Sequence, residues 1–134
     1  MNIFFDVDET ILAYDGTLRP LVPETFEQLT ADGHRVYVWS GARTAETVAE
    51  VVRHYGLHPY VTDCFRKPLI NPRQAWQQAG IEVLPEFVID DYPGIVDAWG
   101  GVLIKPFPLG APDDEMRRVY DAIVAFCAQP EAGV

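Results

Sequence analysis

Cysteine is scarce in this chain. Cys64 and Cys127 are the only two among 134 residues. They lie far apart and in no ligand or redox spacing, which argues against a disulfide framework or a zinc site and makes a reducing compartment, the cytoplasm, the expected location. Positive charge is scarce too: ten Lys and Arg stand against twenty Asp and Glu, for a formal net charge of -10. A domain this acidic is repelled by phosphate backbones and anionic lipid, so neither nucleic acid nor a membrane is expected as a partner. No apolar run approaches the ~20 residues of a membrane span, and Asp6 and Asp8 arrive too early for a signal peptide. The sequence also lacks repeats, low-complexity tracts and linkers. His34, His54 and His58 form no cluster and are expected at the surface.

What remains is an ordinary globular composition, 49% hydrophobic and 22% charged. The length suits one domain spanning residues 1–134, with 130–134 expected as a frayed tail. Ile3-Phe4-Phe5 is a short continuous apolar run, the pattern of a strand buried on both faces. Asp15-Gly16 between Ile11-Leu12 and Leu18 signals a hairpin. Further strands are expected at Val36–Trp39, Tyr60–Thr62, Phe87–Ile89 and Val102–Ile104. Helices are expected from Pro23 to Ala31, from Thr44 to Tyr55, from Asn71 to Ala79, and from near Pro112 onward. The last helix should turn Met116, Val119, Tyr120, Ile123, Val124 and Cys127 inward. Strands alternating with helices predict an α/β fold: a three-layer Rossmann-like domain with a mostly parallel sheet of about five strands and a hairpin flap after the first.

In such sheets ligands bind beyond the carboxyl ends of the strands. The first strand ends in Asp6-Val7-Asp8, the second in Ser40-Gly41, and the fourth in Asp90-Asp91, while Lys67-Pro68 follows the third. Asp6 and Asp8 are two apart, so in extended backbone they face the same side. Clustered carboxylates repel unless a cation sits among them, and oxygen-only ligands suit a hard ion such as Mg²⁺. Beside that charge a carboxylate can attack a phosphate ester, and Ser40, the Gly41 amide and Lys67 are suitable groups for equatorial oxygens. A second carboxylate can protonate the leaving alkoxide and then activate water.

Asp6-Val7-Asp8-Glu9-Thr10, Ser40, Lys67-Pro68 and Asp90-Asp91, in this order, resemble the four motifs of the haloacid dehalogenase superfamily over residues 3 to about 95. The resemblance implies Asp6 as nucleophile and metal ligand, Asp8 as general acid/base with its carbonyl on the metal, and Thr10 as the residue fixing their loop. It further implies Ser40, Gly41 and Lys67 as phosphate ligands, Asp90 and Asp91 as metal ligands, and Mg²⁺ as cofactor. Asp8 points to a phosphatase rather than a dehalogenase. Glu9 departs from the Gly that many members carry there.

Family members often insert a cap domain after the first strand or before the Lys. The intervals from Thr10 to Ser40 and from Ser40 to Lys67 are each consumed by ordinary elements, so a capless member is expected. Its open site suits a large substrate, or a neighbouring subunit as lid, and a homo-oligomer is favoured; the expected substrate is a phosphorylated small molecule or phosphoprotein. Arg43 and Arg66 are expected as solvated charges, Trp39 and Trp99 as packing residues, and Tyr14 as a candidate for the entrance. Two other functions compete. A receiver-like signalling domain would use Asp63 as phosphoacceptor, with Lys105-Pro106 after the last strand. A catalytically silent relative would bind a phosphorylated ligand without turnover.

Overall fold

The computed structural model describes residues 1–129; the expected tail at 130–134 lies outside the described residues. Five strands, β1 (Asn2–Asp6), β2 (Arg35–Ser40), β3 (Val61–Arg66), β4 (Phe87–Asp90) and β5 (Gly101–Leu103), form one sheet in the order β3-β2-β1-β4-β5. Every pairing is parallel. Helices α1 (Val22–Ala31), α2 (Ala45–His54), α3 (Pro72–Ala75), α4 (Pro93–Trp99) and α5 (Glu115–Ala128) complete the domain. The α/β expectation holds, with the sheet wholly parallel.

Alternation along β1 sets the layers. Ile3 and Phe5 face a core built with Phe26 and Leu29 of α1, Val48 and Val52 of α2, and Met116, Val119 and Ile123 of α5. Phe4 faces the opposite core, with Tyr37, Trp39, Ile95 and Trp99. Phe4 stacks on Tyr37 at 4.8 Å between centroids and meets Trp39 edge-on at 4.7 Å, geometries that suit the aromatic quadrupole. Trp39 and Trp99 are packing residues, as the sequence predicts.

The chain steps outward from β1 through β2 to β3, then returns to lay β4 on the other side of β1. The sheet therefore has its switch point between β1 and β4, where a crevice opens at the carboxyl ends. This order also differs from the 2-1-3-4-5 of receiver domains. Asp63 pairs opposite Tyr37 within β3 and spends its carboxylate on the Cys64 amide, 2.8 Å away, instead of ending the strand at the crevice.

Several expected boundaries move. β3 is twice as long as its apolar signal: Thr62, Asp63 and Arg66 are exposed because β3 is an edge strand, so its run never becomes continuously apolar. Its pairing with β2 slips between Val36 and Tyr37, so that one extra β3 residue, Thr62, bulges out of register. The helix expected over 71–79 closes as four residues followed by turns. α4 has no counterpart in the sequence reading; Pro93 at its start and Gly94 beside it hide a seven-residue helix. α5 begins at Glu115, with Asp113 accepting the Glu115 amide proton at 3.2 Å. Val124 and Cys127 face solvent, a correction to the inward stripe. α5 packs against α1 at the flank of the sheet, and its fully buried face is Met116, Val119 and Ile123, with Tyr120 and Ala122 partly buried beside them. No helix among the described residues is long and apolar enough to cross a membrane.

Gly101 admits β5 to the sheet. At φ +150° a Cβ here would lie 1.9 Å from the Val88 carbonyl oxygen, so only glycine lets β5 approach β4.

Candidate active site

The crevice receives its groups from consecutive backbone positions. Phe5 pairs with Ile89 across β1 and β4, so the next residues, Asp6 and Asp90, leave the sheet side by side. On the other flank Ser40 ends β2. The Lys67 amide donates to the Ser40 carbonyl at 2.8 Å, extending the β2–β3 ladder by one rung and fixing Lys67 beside Ser40. Lys67, which directly follows β3, is buried at 6% exposure.

Its ammonium is the hub. Lys67 Nζ donates to Asp6 Oδ1 at 3.0 Å and to Asp90 Oδ2 at 2.6 Å. The other oxygens are engaged as well: Thr10 Oγ1 donates to Asp6 Oδ2 at 3.3 Å, and the Tyr92 amide donates to Asp90 Oδ1 at 2.9 Å. Thr10 thus anchors the nucleophile candidate directly. One carboxylate oxygen from each of Asp6, Asp90 and Asp91 falls within 4.8 Å of the others.

One ammonium among three carboxyl groups leaves two negative charges without a partner whenever all three are ionised, in a site where Asp6 and Asp90 are buried. Burial is the main cause that pushes Asp6 up to about 8; Lys67 opposes the rise and Asp90 adds to it. Asp90 is raised for the same leading reason, again against Lys67. For Lys67, burial acts downward, but the two carboxylates outweigh it and the ammonium is held above its ordinary value. An all-oxygen donor set with excess negative charge fits Mg²⁺, whose opposite ligands in an octahedron with ~2.1 Å bonds stand about 4.2 Å apart. Asp6, Asp90 and Asp91 are the side chains that would hold it.

Asp8 stands apart. β1 ends at Asp6, so the shared-face argument lapses one residue later, and the Asp8 carboxylate is not among the clustered oxygens. It turns instead to Arg43, whose Nε and Nη2 reach Asp8 Oδ2 and Oδ1 at 3.1 and 2.9 Å. This two-point bond corrects the expectation that Arg43 is a free solvated charge. A signal was present in the sequence: Arg43 lies just before the N-cap Thr44, where the helix dipole disfavours a cation unless it has other work. The Ser40 hydroxyl oxygen accepts from the Ala42 and Arg43 amides at 3.1 and 3.2 Å, leaving its own proton free for an incoming acceptor.

Arg19 is the second residue that sequence reasoning missed. It is wholly buried and ion-paired to Asp113 at 3.3 Å. Its Nη2 donates to the carbonyls of Glu9 at 3.4 Å and Lys105 at 2.5 Å. It therefore ties the flap, the Asp8-Glu9 loop and the segment before α5 to one cation. Glu9 itself has φ +63°, the left-handed region, which gives a physical reason why glycine is the easier residue here. On the far side of the flap the Tyr55 hydroxyl donates to the Gly16 carbonyl. Exposed Tyr14 sits at the flap tip.

No protein-family model and no curated protein sequence matches the chain. Among solved structures it is similar to an uncharacterized protein from Listeria monocytogenes serotype 4b, with a TM-score of 0.64 and 14% identity over 94% of this chain and 98% of that one. It is also similar to a chain in the structure of the Pnkp1/Rnl/Hen1 RNA repair complex, with a TM-score of 0.55 and 18% identity, covering 84% of this chain and 43% of that one. At these identities the likeness is one of fold.

Proposed function

We propose that the chain is a Mg²⁺-dependent phosphomonoester hydrolase of the haloacid dehalogenase type, acting through an aspartyl-phosphate on Asp6. The observation that carries this proposal is the convergence of Asp6, Asp90 and Asp91 at the switch point of a parallel sheet, with one buried ammonium bridging the first two. A purely structural cluster would not bury carboxylates in excess of their counter-charge.

Asp6 attacks phosphorus through a carboxylate oxygen, and the ester oxygen leaves with a proton from Asp8. The Ser40 hydroxyl, the Gly41 amide and Lys67 hold the equatorial oxygens as charge moves onto them. Asp8 then takes a proton from water, which attacks the phosphorus of the aspartyl-phosphate and releases inorganic phosphate, restoring Asp6. A bound Mg²⁺ supplies the positive charge that lets an anionic nucleophile meet an anionic ester. Arg43 orients Asp8 through hydrogen bonds to both of its oxygens, and one of these bonds opens when Asp8 carries the proton it gives to the leaving oxygen. The substrate is a phosphorylated small molecule or phosphoprotein. The expected compartment is the cytoplasm, supported by the free thiols Cys64 and Cys127.

The test is hydrolysis of an aryl phosphate by purified protein with and without Mg²⁺, alongside Asp6→Asn. Turnover that needs Mg²⁺ and vanishes in Asp6→Asn is expected. Full activity in Asp6→Asn sinks the assignment. Tight phosphate-ester binding with no release identifies a silent binder instead.

A further inference from the structure

Charge is concentrated at the floor of the crevice and is replaced by hydrocarbon at its rim. Among the described residues eight large hydrophobic side chains are exposed, and half of them sit on three loops at the carboxyl edge of the sheet: Tyr14 at 81%, Leu69 at 51%, Ile70 at 80% and Tyr92 at 53%. Leu69 and Ile70 follow Lys67-Pro68, Tyr92 follows Asp90-Asp91, and Tyr14 tips the flap after β1. Leu69 is seated where Gly41 has no side chain; a Cβ on Gly41 would come within 2.8 Å of the Leu69 methyl.

Part of this rim lines an open cleft of about 300 Å³. Its walls are Ala42, Leu69 and Tyr92, and its floor is Lys67, Asp90 and Asp91. That volume is at the lower bound of small-ligand sites, about 300–1,000 Å³, enough for a phosphoryl group and one ring-sized substituent. Apart from the reacting groups, no charged side chain lines it. The nearby cation, Arg43, is held by Asp8 at two points. A sugar hydroxyl or a second anion here meets little beyond the reacting groups and the Tyr92 phenol, whereas an aromatic or branched aliphatic group finds matching walls in Leu69 and the Tyr92 ring.

We propose that the group esterified to phosphate is apolar and ring-sized, with an aromatic group the best fit, and that Leu69 and Tyr92 select it. This deepens the phosphatase assignment and rests on it. The floor fixes one end of the occupant as the phosphoryl group, and the walls fix the chemistry of the other. The aromatic group belongs either to a free metabolite or to a tyrosine side chain; the small volume of the cleft favours a free metabolite.

The test compares kcat/KM, with Mg²⁺, for benzyl phosphate against glycerol 3-phosphate and glucose 6-phosphate. All are esters of primary alcohols, so intrinsic leaving-group reactivity is similar and the ratio reports binding of the organic part. Benzyl phosphate is expected to lead by about 10–100-fold. In Leu69→Ser/Tyr92→Ser the ratio is expected to fall to about threefold or less, with a thermal melt confirming the fold. Blocked phosphotyrosine and a phosphotyrosyl peptide separate the sources, and the peptide is expected to be the poorer substrate. A wild-type ratio near one, or a preference for the polyols, overturns the proposal while leaving the phosphatase assignment standing. A rim covered by a second copy, seen as a wild-type dimer that the double variant dissociates with the ratio unchanged, also overturns it. No turnover of any ester overturns both.

Discussion

Replacing Asp6 by Asn should make the metal-free protein more stable, and only at neutral to alkaline pH. Asp6 is buried at 5% exposure, shares Lys67 with Asp90, and has its carboxyl pushed from 3.8 to about 8. Between those two values the unfolded chain has released this proton and the folded chain has kept it. Stability therefore falls as pH rises from about 4 to 8, by up to ~1.4 kcal/mol per pH unit. Over pH 5 to 8 the ceiling is ~4 kcal/mol; relaxation around a shared ammonium reduces this to about 2–3 kcal/mol. Asparagine carries no such charge, retains an oxygen to accept from Lys67, and removes this slope. Urea unfolding in EDTA at pH 5 and pH 8, followed by circular dichroism, measures the difference. At this chain length about 1 kcal/mol moves Tm by roughly 3–5 °C, so Asp6→Asn should melt some 6–15 °C above wild type at pH 8 and close to it at pH 5. Mg²⁺ at a hundred times its Kd should return about 2.7 kcal/mol to the wild type at pH 8 and much less to the variant. An Asp6→Asn protein whose stability relative to wild type is the same at both pH values would refute the claim of excess buried negative charge.

Three other substitutions probe the supporting residues. Arg19→Met strands the buried Asp113 and frees two carbonyls, so unfolding by urea should show a loss of about 3–5 kcal/mol; a loss below 1 kcal/mol would show that the cation is not the tie between flap and body. Glu9→Gly removes a left-handed non-glycine residue and should raise stability by about 0.5–1 kcal/mol in a thermal melt, whereas a drop would mean that the Glu9 side chain outweighs its backbone strain. Arg43→Ala breaks a half-exposed pair, so stability should change by less than about 1 kcal/mol. Its kcat should nonetheless fall roughly tenfold as Asp8 loses its orientation, with KM moving less; an unchanged kcat would remove Arg43 from the site.

The centre of the sheet was legible because burial on both faces leaves a plain mark. Ile3-Phe4-Phe5, Val36–Trp39 and Phe87–Ile89 are continuous apolar runs, and each is followed at once by polar residues that have no structural reason to be there. Asp6, Ser40 and Asp90 could thus be placed together before any coordinates. The edges were not legible. β3 is half-exposed, so the second half of its sequence looks like a loop. For Asp8, strand alternation was extended two residues beyond the end of β1, where it no longer sets the side chain's direction. Arg19 lay beyond reach for a different reason: a cation buried by Asp113, ninety-four positions away, leaves no periodic trace near itself. Cys127 and Val124 show the converse, since an apolar stripe on α5 does not reveal how wide its partner surface is.

The slip in pairing at Val36/Tyr37 divides β3 into two halves with different tolerances. Beyond the bulge, Asp63 to Arg66 run in step with Tyr37 to Ser40, and one further rung sets Lys67 against Ser40. A change of one residue in that half would turn the lysine to the opposite face of the sheet and empty the hub. Before the bulge, the surplus Thr62 acts as slack. Length can be gained or lost there, and in the loop from Tyr55 to Tyr60, without the change reaching the crevice. Insertions and deletions in relatives of this chain should therefore collect on the amino side of Thr62 and stop short of Asp63.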